Sequence, residues 1–261
     1  MDTRVTKLYG GFANDLLTGY GQMYGGLGND QITTDGGMGC YGGAGNDLIS
    51  GGTKDAQLFG EDGHDNVIGQ TGKDSLSDGN GDDTLQGGLN VGTLRGDAGN
   101  DLRQGQFDND LLNGGAGNDS PYGFYESGIL VALDDAGRDT SCRFNGDDSL
   151  TGGKGADTMI GGLGPDVFVY TRNADSLALD PDEVAFAGAD KIDLSSFDGS
   201  LQASGTVPLT FVNTGPFGGG GFASVQVGAG AVRIDSDGDR SADMLILIIG
   251  GAQLGAADFL L

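Results

Sequence analysis

The chain has 261 residues, with 54 glycines, no tryptophan, and 38 acidic against 13 basic residues, a formal charge of −25 at neutral pH. That glycine content excludes long helices, and the acidic excess argues against a nucleic-acid partner and opposes compaction of the chain unless a cation neutralises it. With one histidine, His64, an H-E-x-x-H zinc site or a histidine cluster is excluded, and no G-x-S-x-G elbow supports lipase-type chemistry.

The chain opens on uneven echoes of one short pattern. It reads GGFANDLLT from Gly10, GGLGNDQIT from Gly25 and GGAGNDLIS from Gly42, closed by Asp15, Asp30 and Asp47 at spacings of 15 and 17 residues. The spacing then settles at nine: Asp65, Asp74 and Asp83; Asp101, Asp110 and Asp119; and later Asp148, Asp157 and Asp166. In each copy a glycine-rich turn ends in aspartate, and the residue two further on is usually apolar. Glycine tolerates positive φ and leaves backbone carbonyls bare. Calcium takes six to eight oxygen ligands from carboxylates and carbonyls. The x-U-x that follows has the period of a short strand with its middle residue inward. One repeat is therefore half a coil, and eighteen residues make one turn of a flattened right-handed parallel roll. An all-β fold is predicted.

The candidate calcium ligands are the closing aspartates Asp15, Asp30, Asp47, Asp65, Asp74, Asp83, Asp101, Asp110, Asp119, Asp148, Asp157 and Asp166. The turn glycines join them: Gly42, Gly43, Gly45, Gly60, Gly63, Gly81, Gly96, Gly99, Gly114, Gly115, Gly117, Gly152, Gly153, Gly155, Gly161, Gly162 and Gly164. Several ions are expected. Stepping by nine, the inward positions read Leu58, Val67, Leu76, Leu85, Leu94, Arg103, Leu112. Arg103 does not suit a narrow core, and a local bulge turning Leu102 inward is the expected remedy. The closing positions divide into two edges. Asp47, Asp65, Asp83, Asp101 and Asp119 are unbroken, whereas the other edge reads Ala56, Asp74, Gly92, Asp110. Calcium is expected to be dense on the first edge and sparse on the second, with Asp55 partly rescuing the turn at Ala56.

Between Asp119 and Asp148 the spacing jumps to 29. The stretch near 120–145, with Pro121 and the run from Gly128 to Leu133, reads as a decorated loop with one strand of its own, or else as a contact surface. After Asp166 the repeats stop. VFVY (167–170) and GADKIDLSSF (188–197) follow, then SVQVGAG and AVRIDSDGDRSADMLILIIGG, and the chain ends DFLL. The acidic stretch from Asp235 to Asp243 is not an EF-hand, because the sixth and twelfth loop positions are Arg240 and Ile246. It reads as a hairpin turn before a buried strand, Met244–Ile249, too short to cross a bilayer, with a further calcium site as an alternative. Cys40 and Cys142 are too few for a disulfide framework and read as buried small hydrophobes, a free thiol, or a bridge. His64 reads as solvated.

The repeats resemble those of the RTX proteins, whose consensus is G-G-x-G-x-D-x-U-x. The tail resembles the C-terminal domain of the serralysin-type proteases, most specifically in GADKIDLSSF, though DEVAFA (182–187) departs from that family's usual stretch. The resemblance implies a β-roll with calcium lodged between a turn and the turn one coil on, spanning residues 1–169, and a β-sandwich-like C-terminal cap over 170–261. It also implies that Asp258–Leu261 is similar to the uncleaved signal read by type I secretion systems, since no apolar leader stands at the N-terminus. The chain would leave the cell unfolded at low calcium and fold outside. Metal and folding would then be coupled, as binding energy becomes folding energy. The resemblance to proteases concerns only their non-catalytic part. Three functions remain: a secreted calcium-binding structural or surface protein, an accessory domain of an RTX enzyme (serralysin-like metallopeptidase, lipase or alginate epimerase), or a polysaccharide-binding module. The expected partners are the type I secretion apparatus and a polysaccharide or cell surface, with no nucleic acid and no membrane insertion.

Overall fold

The computed structural model describes residues 7–35, 39–90, 92–122, 131–133, 136–142, 145–172, 175–177, 179–197, 210–213, 224–228, 230–235 and 241–261. It divides into two compact units, residues 1–132 and 133–261.

In the first unit every repeat contributes a strand, and alternate strands join opposite sheets. One sheet holds β1 (Lys7–Gly11), β3 (Gln22–Leu27), β5 (Gly39–Ala44), β7 (Gln57–Asp62), β9 (Ser75–Asn80), β11 (Thr93–Arg95) and β13 (Leu111–Asn113). The other holds β2 (Leu16–Gly19), β4 (Gln31–Thr34), β6 (Leu48–Gly52), β8 (Asn66–Thr71), β10 (Thr84–Leu89), β12 (Leu102–Gln106) and β14 (Ser120–Tyr122). All these pairings are parallel, which is the stacked-coil architecture that the eighteen-residue period predicts.

The core is one residue wide per strand. On the first sheet Met23, Cys40, Leu58, Leu76, Leu94 and Leu112 stack in register. On the second the column runs Leu17, Ile32, Ile49, Val67, Leu85 and Arg103. Each is at most 3% exposed. At about 1.5–3 kcal/mol per buried large apolar side chain, this column holds the sheets together, while the charged turns lie at its edges. Cys40 fits as one of its small apolar members and is a free thiol. On the outward side of the first sheet, Tyr9, Tyr24, Tyr41 and Phe59 form a ladder of stacked rings with centroids 4.8–4.9 Å apart.

Two sequence expectations change here. No bulge turns Leu102 inward: Arg103 itself points into the core, fully buried and paired in register between Leu85 and Pro121. Its cation lies 3.9 Å from the Asp119 carboxylate, so the charge is met from the turn rather than avoided. The stretch near 120–145 is not a loop with one strand. It contains β15 (Val131–Leu133) and β16 (Thr140–Cys142), so strands begin at Ser120, Val131, Thr140 and Ser149. The period is stretched by two residues once and then resumes. The aspartate signal faded there while the strand period persisted.

The second unit begins in the same manner. β16 pairs in parallel with β18 (Thr158–Ile160), and β18 with β20 (Asp182–Ala185). Opposite them, β17 (Ser149–Thr151), β19 (Val167–Val169), β21 (Lys191–Asp193) and β26 (Phe259–Leu260) form the second layer. The tail then extends the β20 edge through β25 (Met244–Ile249), β24 (Ala231–Asp235), β23 (Ser224–Gly228) and β22 (Thr210–Asn213). β24 and β25 form the antiparallel hairpin expected from the sequence. The two layers enclose a wider core of Phe168, Tyr170, Val184, Ile192, Leu194, Val225, Val232, Ile234, Met244 and Ile246, all buried. Aromatic and branched residues replace the repeat's single inward leucine because this part of the chain must fill a thicker sandwich.

Candidate metal centre

The closing aspartates occupy equivalent places in successive coils and are tied together in a row. The backbone N–H of each donates to Oδ1 of the aspartate one coil later: Asp15 to Asp30, Asp30 to Asp47, Asp47 to Asp65, Asp65 to Asp83, Asp83 to Asp101 and Asp101 to Asp119, at 2.5–3.0 Å. On the other edge Ala56 donates to Asp74 and Gly92 to Asp110, at 2.8 and 2.7 Å. The unbroken and broken aspartate rows therefore lie on opposite edges. Asp55 does not stand in at the broken edge. It is turned outward and accepts from the Lys73 N–H, because a side chain one residue early faces the opposite way along the turn.

Oδ1 is thus used by the fold, and Oδ2 is left over. For Asp15, Asp30, Asp47, Asp65, Asp74, Asp83 and Asp101, Oδ2 is buried without a hydrogen-bond partner. An unpaired buried carboxylate oxygen is costly, and seven in one pattern call for a cation. The first glycine of each turn keeps the space in front of Oδ2 open. A methyl group at Gly60 would lie 2.3 Å from the Asp65 Oδ2 and 2.6 Å from the Asp78 carbonyl oxygen. Gly42, Gly96, Gly152 and Gly161 stand in the same relation to Asp47, Asp101, Asp157 and Asp166. Carbonyls of Gly60 and Gly114, one coil on, reach the cradles at Gly42 and Gly96. The other turn glycines have a different task. Gly43, Gly45, Gly63, Gly81, Gly99, Gly115, Gly117, Gly153, Gly155, Gly162 and Gly164 all have φ between +85° and +150°, where the chain reverses at low cost only without a side chain.

Burial raises the carboxyls. Asp65 and Asp101 are pushed up to about 7, first by burial and then by repulsion from neighbouring aspartates of the row. Asp47 rises to about 6 for the same reasons. Asp74, on the broken edge, rises to about 6, by burial and by Asp55 outside the row. A hard divalent cation offered carboxylate and carbonyl oxygen, with no nitrogen or sulfur, suits this donor set.

Sequence reasoning missed four aspartates of this system. Asp139 donates its N–H to Asp157 Oδ1 at 2.9 Å, and subtracting eighteen from 157 gives its position directly. Asp148 donates likewise to Asp166. Asp182 and Asp190 then close the last two coils, accepting from Asp157 and Asp166 across 25 and 24 residues. Asp182 is the first residue of DEVAFA, so the departure from the family's usual stretch still supplies a closing carboxylate, held protonated up to about 8 by burial. Asp190 belongs to GADKIDLSSF. The fourth, Asp78, sits where the other turns of this edge have glycine.

A second row, also unforeseen, runs along the surface. Asn14, Asn29, Asn46, His64, Asp82 and Asn100 each accept the N–H of the residue one coil later, ending at Asn118. His64 is exposed as expected, and its Nδ1 takes an asparagine's place as acceptor. At the hairpin, Asp235 is buried and Asp243 donates to Ile234. The alternative of a calcium site in that turn falls on residues 236–240, outside those described.

Stacked parallel coils with aspartate-closed glycine turns define a calcium-binding β-roll. The comparisons agree. Residues 22–37, 41–76, 59–94, 68–102 and 91–121 match the RTX calcium-binding nonapeptide repeat, and residues 146–261 match the peptidase M10 serralysin C-terminal domain. A search of the curated proteins found no match. The chain thus carries RTX calcium-binding nonapeptide repeats within residues 22–121 and a serralysin-type C-terminal domain over residues 146–261.

Proposed function

We propose that this chain is a secreted, non-catalytic calcium-binding protein that folds as calcium is bound outside the cell. The observation that carries the reading is the row of buried Oδ2 atoms without partners, each facing a glycine cradle except that of Asp83, where Asp78 stands in the glycine's place. Asp15, Asp30, Asp47, Asp65, Asp74, Asp83, Asp101 and the corresponding aspartates of the second unit would supply carboxylate oxygen, and the turn residues one coil on would supply carbonyls. Calcium would neutralise the charge that keeps the row apart, and the strands would then close on the leucine column. Both matched domains are non-catalytic in kind, and the ligand carboxylates are not available as acid and base.

Export by a type I apparatus rests on the resemblance of Asp258–Leu261 to the signal such systems read. Phe259 is buried in the second unit's core, and β26 pairs with β21. Folding withdraws Phe259 from the signal while Leu260 and Leu261 stay exposed, so the whole tetrapeptide is open only in the unfolded chain, which suits export at low calcium. A structural or cell-surface role follows from stability without catalysis. An accessory role beside an enzyme is the second reading, favoured by the serralysin-type domain. Polysaccharide binding is less well supported, since the stacked rings of Tyr9, Tyr24, Tyr41 and Phe59 cover one another's faces.

The test is a calcium titration of chelator-treated protein followed by circular dichroism. A cooperative gain of β signal is expected at millimolar calcium. A strong β spectrum unchanged in excess chelator would overturn the reading.

A further inference from the structure

The first position of the turn on the unbroken edge reads Gly42, Gly60, Asp78, Gly96, Gly114 in successive coils. At Gly60 a Cβ would project into the cradle, towards the Asp65 Oδ2. Asp78 has that Cβ and a carboxylate beyond it. It is 0% exposed, and one of its oxygens accepts the N–H of Gly79 at 2.8 Å. The other, Oδ2, is buried without a hydrogen-bond partner, as are the Oδ2 atoms of Asp83 and Asp101. Ligand oxygens of Asp78, Asp83 and Asp101 all lie within 4.8 Å of one another. Two oxygens on opposite sides of a calcium ion, each at about 2.3–2.6 Å, span at most roughly 5 Å. The three are therefore within reach of one calcium ion, whereas magnesium would demand a tighter shell and keep its waters.

From this placement we infer that Asp78, in the place of a cradle glycine, joins the row aspartates Asp83 and Asp101 in a three-carboxylate calcium site, and that its ion is the last to leave the roll. This inference rests on the calcium-dependent reading above and adds a hierarchy to it. A third formal charge replaces a neutral oxygen, and affinity in oxygen-ligand sites rises with charge count. The site lies in the middle of the first unit, where β9 and β10 follow one another, so coils on both sides close onto the ion held longest.

The test uses the full chain, loaded with calcium and dialysed against graded chelator, with bound calcium counted by elemental analysis. The parent is expected to retain about one ion per chain after the others have gone. Asp78→Asn keeps the shape and removes the charge, and should weaken that ion's retention roughly tenfold or more. Asp78→Gly restores the repeat pattern and should release the ion together with the rest. Circular dichroism in millimolar calcium verifies that each variant folds. Loss of all ions together from the parent, or equal retention in parent and both variants, would overturn the site. Tighter retention by Asp78→Gly would show that Asp78 plugs the cradle instead. A parent whose β signal ignores calcium altogether would fail the broader reading, a result distinct from any of these.

Discussion

Asp83 and Asp74 bear the same hydrogen bond and the same kind of neighbour in the core, yet sit on different edges. Each accepts a buried N–H through Oδ1, from Asp65 and from Ala56. Each precedes a fully buried leucine, Leu85 or Leu76. Replacing either by asparagine keeps an acceptor at Oδ1 and removes only the charge and the spare oxygen. Asp83 has carboxylate oxygens of Asp101 and Asp78 within 4.8 Å. At an effective dielectric of about 20, two unit charges that far apart repel by about 3 kcal/mol. No carboxylate of its own row stands one coil away from Asp74 on either side, since those positions are Ala56 and Gly92. Asp83→Asn therefore removes a repulsion from the metal-free chain and a shared ligand from the calcium-bound one. Its calcium midpoint of folding should rise clearly more than that of Asp74→Asn, by up to roughly a hundredfold at the affected site for an energy of about 3 kcal/mol. In chelator it should also show the larger residual β signal. The assay is circular dichroism against free calcium for both variants beside the parent. Equal shifts, or a larger one for Asp74→Asn, would mean that carbonyls and water dominate the ligation, and the edge argument would fail.

Other outcomes follow from particular residues. In chelator, acid should promote the fold: Asp65 and Asp101 bind protons up to about 7 when folded against 3.8 as the ordinary value, so the folded state holds more protons between those limits. Stability of the metal-free chain is then highest below about pH 4 and falls as pH rises towards 7; a pH-independent β signal in chelator would contradict this. Glu61 holds φ at +81° in a place where Gly43 and Gly79 stand in the neighbouring coils, so Glu61→Gly should stabilise the calcium-bound chain by about 1 kcal/mol in thermal unfolding. Deleting Asp258–Leu261 should abolish export in a type I host. It should also destabilise the second unit, where burial of Phe259 and the Lys191–Asp258 contact at 3.7 Å are lost, by roughly 3 kcal/mol or more; normal export of the truncated chain would refute the signal. The pairing of β26 with β21 makes these residues part of the fold as well as of the signal.

The repeat by itself determined a great deal. Asp47, Asp65, Asp83, Asp101 and Asp119 could be placed on one edge because turn and strand are both local: glycine dictates where the chain reverses, and the period of two dictates which side chain faces in. The inward column from Leu58 to Leu112 and the hairpin before Met244–Ile249 were legible for the same reason. What the sequence did not decide depends on the distance between coils. Arg103 could be accepted in the core only once the Asp119 carboxylate was seen 3.9 Å away. Asp78 stands where the pattern has glycine, and only the stacking places it beside Asp83 and Asp101. Asp182 and Asp190 escaped the nine-residue count because 25 and 24 residues separate them from the N–H groups they accept. A period records the path of the chain along one coil; which spare oxygen meets which cradle is settled across coils, by the packing of one turn on the next.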